Sequence, residues 1–97
     1  DRFVPSTYYG PDSKCHHSLI ADGCVIEGTV ENSILARGVC VAPDAHVKNC
    51  IIMQDAIVGE NANLNYVIAD KNVMIKDKRK LSGHETMPFY IGKKMSV

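Results

Sequence analysis

Aliphatic side chains recur every six residues through the middle of this chain, inside a longer period of 17. Leu35, Val41 and Val47 step by six; Ile52, Val58 and Leu64 each lie 17 further on, and Ala69, Ile75 and Leu81 lie 17 beyond those. A helix repeats about every 3.6 residues and a strand about every 2, so neither needs a six-residue pulse. A strand that bends sharply every six residues and closes a coil does need one, and a fixed longer period is the mark of a solenoid.

The hexads support that path. Their first position is a large aliphatic, and their fifth is small or β-branched: Cys24, Val39, Ala45, Ala56, Ala62 and Val73. Large residues fill a flat wall, and small ones fit where two walls meet. The fourth position holds Gly23, Gly38, Asp44, Asp55, Asn61 and Asn72. These residue types best tolerate positive φ, which predicts a left-handed residue at the bends. Three sides of six would make 18 residues, so a period of 17 implies one tighter corner. The pass from Ser18 to Asn32 is only 15 long, which places a further loss of two around Glu27-Gly28-Thr29. About eleven inward aliphatics are expected to stack in columns.

The register predicts a hexapeptide β-helix over 18–81, about four coils, between an N-terminal linker or cap (1–17) and a C-terminal cap or tail (82–97). Both flanks fall outside the register and carry all the aromatics except Tyr66. With 97 residues the chain is one domain or less. Eleven basic residues balance eleven acidic ones, and no basic stripe stands out, which argues against nucleic acid. No apolar run approaches the roughly 20 residues of a membrane helix. The opening Asp1-Arg2, with no signal peptide, reads as a piece of a longer protein. Cys24 and Cys40 stand where small apolar residues would serve, so the four cysteines are expected to be reduced thiols in a cytoplasmic setting.

Catalytic chemistry is sparse. Cys15-His16-His17 has no partner pair at zinc-finger spacing, and His84-Glu85 lacks the second histidine of a zincin because position 88 is Pro. No native metal or cofactor is expected. His46 raises the alternative of a hexapeptide acyltransferase, yet no long insertion separates its coil from the next. A purely structural interaction module is the other alternative. The basic runs Lys76–Lys80 and Lys93-Lys94 read first as solvated edge and tail; the functional reading is contact with an anionic effector, with Arg37, Arg79, Lys93 and Lys94 as candidates.

The stretch Ser18–Gly28 followed by Asn-Ser-Ile-Leu-Ala-Arg-Gly-Val (32–39) resembles the C-terminal β-helix of glucose-1-phosphate adenylyltransferases (ADP-glucose pyrophosphorylases). The stretch Leu81–Lys93 is more similar to the regulatory, glycogen-biosynthesis subunit of that family. The resemblance implies a left-handed coil. It also implies a separate N-terminal nucleotide-binding domain that uses ATP, glucose 1-phosphate and magnesium, so no catalytic residue carries over to this chain. Sister subunits and an anionic effector are the implied partners. Lys78 departs from the pattern, at a corner where Gly or Asn would be easier.

Overall fold

A computed structural model describes residues 6–97. The chain coils through three parallel five-stranded sheets, with no helix among the described residues. The first wall stacks β1 (Tyr8–Tyr9), β4 (Val25–Ile26), β7 (Cys40–Val41), β10 (Ile57–Val58) and β13 (Met74–Ile75). The second stacks β2 (Lys14–His16), β5 (Thr29–Glu31), β8 (His46–Lys48), β11 (Asn63–Asn65) and β14 (Lys80–Ser82). The third stacks β3 (Leu19–Ile20), β6 (Ile34–Leu35), β9 (Ile51–Ile52), β12 (Val67–Ala69) and β15 (Phe89–Ile91). Four turns therefore separate the lowest strand of a wall from the highest, the about four coils that the period implies.

Adjacent strand residues face opposite ways. One of each pair enters the core. Val41 pairs with Val58, and Val58 with Ile75, so the three stand one above another as the 17-residue period requires. Leu35, Ile52 and Ala69 form a second inward column, and Val30, Val47 and Leu64 a third. All nine are buried; Leu81, above Leu64, is only partly so because nothing stacks on it.

The corners explain the spacing. All six fourth-position residues have positive φ: Gly23, Gly38, Asp44, Asp55, Asn61 and Asn72. Lys78 and Lys94 share that conformation, at φ 66° and 65°. The corner between second and third walls is the tight one. It turns at His17, Asn32, Asn49 and Tyr66, also left-handed. A ladder of side-chain amides runs up this edge: Asn32 Nδ2 donates to Asn49 Oδ1 (2.6 Å), and Asn49 Nδ2 donates to Asn65 Oδ1 (3.0 Å). Just inside it the buried Ser33 hydroxyl donates to the Glu31 carbonyl (2.7 Å) and accepts from the Cys50 amide (3.0 Å). Replacing Asn49 by Ala removes two amide bonds and a residue suited to positive φ. The expected loss is about 1–3 kcal/mol, read as a lower midpoint in urea, with Asn49→Gly retaining part of it.

The shortened pass lies where its length places it. Only Glu27 and Gly28 join β4 to β5, against the four residues 42–45 that join β7 to β8.

Parallel pairing runs past both ends of the 18–81 span. Tyr8 pairs with Val25 and Lys14 with Thr29, so part of the 1–17 segment forms the first rung of two walls; the remainder, 1–5, lies outside the described residues. At the other end Phe89 pairs with Val67, and Ser96 bridges to Met74. The periodicity hides these rungs for two reasons. The first puts Tyr8 and Tyr9 where later coils have aliphatics. The last comes after a hairpin at 83–88, so Ile68 pairs with Tyr90 at an offset of 22, where Ile51 and Ile68 are offset by 17.

Candidate functional site: the three outer walls

With the interior filled by stacked aliphatics, chemistry is left to the outward columns and corners. The outward residues of the third wall are Leu19, Ile34, Ile51, Ile68 and Tyr90, in register. Leu19 is 70% exposed, Ile34 47% and Ile51 39%. The first wall presents Tyr8, Val25, Cys40, Ile57 and Met74. Both columns are apolar from bottom to top. Soluble monomers rarely expose contiguous apolar patches of more than a few hundred Å².

The second wall is the opposite. Lys14, Thr29, His46, Asn63 and Lys80 form one outward column, with His16, Glu31, Lys48, Asn65 and Ser82 beside it. A shallow groove of about 420 Å³ runs across its upper four rungs. His46 is exposed there, between Thr29 and Asn63, and the corners flanking its coil have ordinary length. No long loop folds over it from an adjoining coil.

The four candidate anion contacts do not converge. Backbone hydrogen bonds put Asp22, Arg37, Gln54, Lys71 and Lys93 in one column at the corner between third and first walls. Arg37 and Lys93 are thus three rungs apart, about 14 Å at sheet spacing. Lys94 turns the same corner beside Lys93, and Arg79 lies on a different corner, between first and second walls. All four side chains are exposed. Near Lys93, the Tyr90 hydroxyl donates to Asp70 Oδ2 (2.6 Å). That bond, with the Lys71 amide and the nearby lysine charges, holds the Asp70 carboxyl below its ordinary value, and Asp70 in turn pushes the Tyr90 hydroxyl up. The contact is therefore complete above the ordinary carboxylate range and is lost as acid protonates Asp70.

All four cysteines are free, and burial pushes Cys15, Cys24 and Cys50 above the ordinary thiol value, away from the reactive thiolate. Cys24 fills a corner as its position implies. Cys40 does not: it faces outward on the first wall, half-buried between Val25 and Ile57, and Cys50 is the second fully buried thiol. Among the described residues no three His, Cys, Asp or Glu side chains gather to hold a metal ion. No helix among them is long and apolar enough to cross a membrane.

Residues 2–86 match the family model described as GlmU-like, C-terminal hexapeptide. The chain belongs to the GlmU-like C-terminal hexapeptide family. Within it, this hexapeptide chain is 33% identical over 84 residues to the glucose-1-phosphate adenylyltransferase of Acetivibrio thermocellus, covering 87% of the chain and 20% of that enzyme. The enzymes of the same name from Bacillus thuringiensis (strain Al Hakam) and Bacillus anthracis are each 36% identical over 73 residues, covering 75% of the chain and 19% of the enzyme. The hexapeptide chain thus spans about a fifth of the length of these relatives, in their C-terminal region. The family match stops inside the 83–88 hairpin, where the 17-residue spacing also stops.

The outer columns are what sequence reasoning missed. A signal existed: Leu19-Ile20, Ile34-Leu35 and Ile51-Ile52 are apolar pairs, and on a strand only one member of a pair can face the core.

Proposed function

We propose that this domain is the C-terminal assembly and regulatory β-helix of a glucose-1-phosphate adenylyltransferase subunit. The parent reaction converts ATP and glucose 1-phosphate to ADP-glucose and pyrophosphate with magnesium, in the cytoplasm, for glycogen synthesis. The nucleotide chemistry belongs to a separate N-terminal domain of the parent chain, and the β-helix contributes contacts. The observation that carries this reading is the division of the outer surface: two walls apolar over their full height, the third polar. One apolar wall suits the parent's nucleotide-binding domain and the other a sister subunit, since interfaces that persist bury apolar cores within polar rims. Arg37, Lys93 and Lys94, with Arg79 on its separate corner, are the proposed contacts for an anionic effector.

The test uses the parent enzyme. Ile34→Lys with Ile51→Lys on the third wall is expected to lower the oligomeric state in sedimentation while the β-sheet circular dichroism stays unchanged, because both side chains point away from the core. An unchanged oligomer for this pair and for the matching first-wall pair, Val25→Lys with Ile57→Lys, rejects the assembly role. The isolated 97-residue chain is expected to make no ADP-glucose. Charge removal at the four basic residues is expected to weaken effector response without changing the unstimulated rate, and an intact response removes them as contacts.

A further inference from the structure

The fifth coil differs from every coil beneath it at all three corners. The carbonyls of Gly28, Ala45, Ala62 and Arg79 accept in turn from the amides of Lys14, Thr29, His46 and Asn63, which makes these four residues one column. Ala45 and Ala62 are fully buried in it, and Arg79 is exposed. A side chain at an inward corner position can reach solvent only through the open end of the coil. Beside it Lys78 takes the left-handed bend that Asp44 and Asn61 take below. At the corner between third and first walls, Lys94 stands where Gly23, Gly38, Asp55 and Asn72 stand below. At the tight corner, where one or two residues suffice in lower coils, the hairpin at 83–88 projects. Its ends are tied by reciprocal backbone bonds between His84 and Met87 (3.0 Å each), and Met87 is 77% exposed.

Lysine is a poor choice for positive φ, and arginine a poor choice for a column of alanines. Neither improves this coil; on the first wall Met95–Val97 already pair above Met74–Lys76, and it is over β14 that Lys78 and Arg79 obstruct a further strand. A strand pairing in register with β14 would enclose the Arg79 guanidinium where a methyl belongs, without a partner. Two such ends brought together would oppose Lys78 and Lys94 with their like. Charged residues at an exposed edge are the usual means by which sheets avoid adding strands from another chain.

We propose that the fifth coil is a terminator: Lys78, Arg79, Lys94 and the 83–88 hairpin together bar edge-to-edge addition of a second copy onto β14 and β15. The capping expected of the aromatic tail is in this account the work of basic corners and one hairpin. The decisive variant gives the fifth coil the corner residues of inner coils: Lys78→Asn, Arg79→Ala and Lys94→Gly together. Sedimentation over a concentration series is expected to show association beginning at about tenfold lower concentration than in the unmodified chain, equivalent to about 1.4 kcal/mol. The thermal midpoint, measured below that concentration, is expected to rise as positive φ is relieved. Adding Ser82→Pro is expected to abolish the new association. Gly83 donates inward to Asn65, so by alternation the Ser82 amide faces the open edge, and proline removes that donor without breaking the ladder to β11. A folded triple variant with unaltered sedimentation overturns the proposal, as does association that Ser82→Pro leaves intact. Should the triple variant fail to fold, Arg79→Ala alone decides in the same way, since it asks for no special backbone conformation.

Discussion

Truncating Ile52 to alanine is expected to cost about 3–4 kcal/mol. The side chain is fully buried at the mid-height of its column, between Leu35 below and Ala69 above. Ile→Ala changes in cores cost about 2–5 kcal/mol, the spread reflecting how far the site collapses. Collapse is restricted here, because the walls are fixed by hydrogen bonds at constant rung spacing and the neighbour above is already small. For a domain of this size the loss corresponds to a fall of roughly 12–30 °C in thermal midpoint. Circular dichroism at the sheet minimum checks it. Ile52→Val should cost only about 0.5–1.5 kcal/mol. A midpoint for the alanine variant within a few degrees of the unmodified chain would show that the column is not the spine of the fold.

The second large effect is expected at Gly28, for a different reason. A Cβ there would lie 2.5 Å from the Ala45 carbonyl oxygen and 2.8 Å from that of Ala42. Both obstacles are backbone and cannot swing aside. The short corner of the second coil lies directly beneath the larger corner of the third, whose backbone takes the space a side chain would need. Overpacking costs about 1–3 kcal/mol, and with immovable neighbours Gly28→Ala belongs at or above the top of that range. Gly10 is the control. It begins the same corner one coil lower, and a Cβ on it would meet first the flexible Glu27 Cγ, at 3.2 Å. Gly10→Ala is expected to stay within about 1 kcal/mol of the unmodified stability. Equal urea midpoints for the two variants would contradict the account of the shortened corner.

Much of this architecture is legible in the sequence. The columns, six of the left-handed bends and the shortened pass follow from apolar spacing and from where Gly, Asp and Asn fall. The tight corner was harder, because no more than two residues span it. Asn32 and Asn49 announce a left-handed bend there, but His17 and Tyr66 adopt it with side chains that give no such signal. For Tyr66 the neighbouring rung supports the bend, its corner amide donating to the Lys48 carbonyl (3.2 Å) as the Asn32 amide does to His16 (2.9 Å). The end coils were hidden by aromatic substitution below and by extra chain above. The outer walls needed register, not composition. Leu19, Ile34, Ile51 and Ile68 become a stripe only once their inward partners are assigned, and Arg37 and Lys93 become members of one column only when five rungs are stacked.

The hairpin before β15 leaves the register of the later strands intact. It adds five residues between two strands, yet Phe89–Ile91 still meets Val67–Ala69 and Ser96 still meets Met74. A change of length at this bend is thus confined to the bend. A foreign peptide spliced between Glu85 and Thr86 should ride outside the coil as a passenger, whereas one extra residue inside any strand would turn that wall inside out.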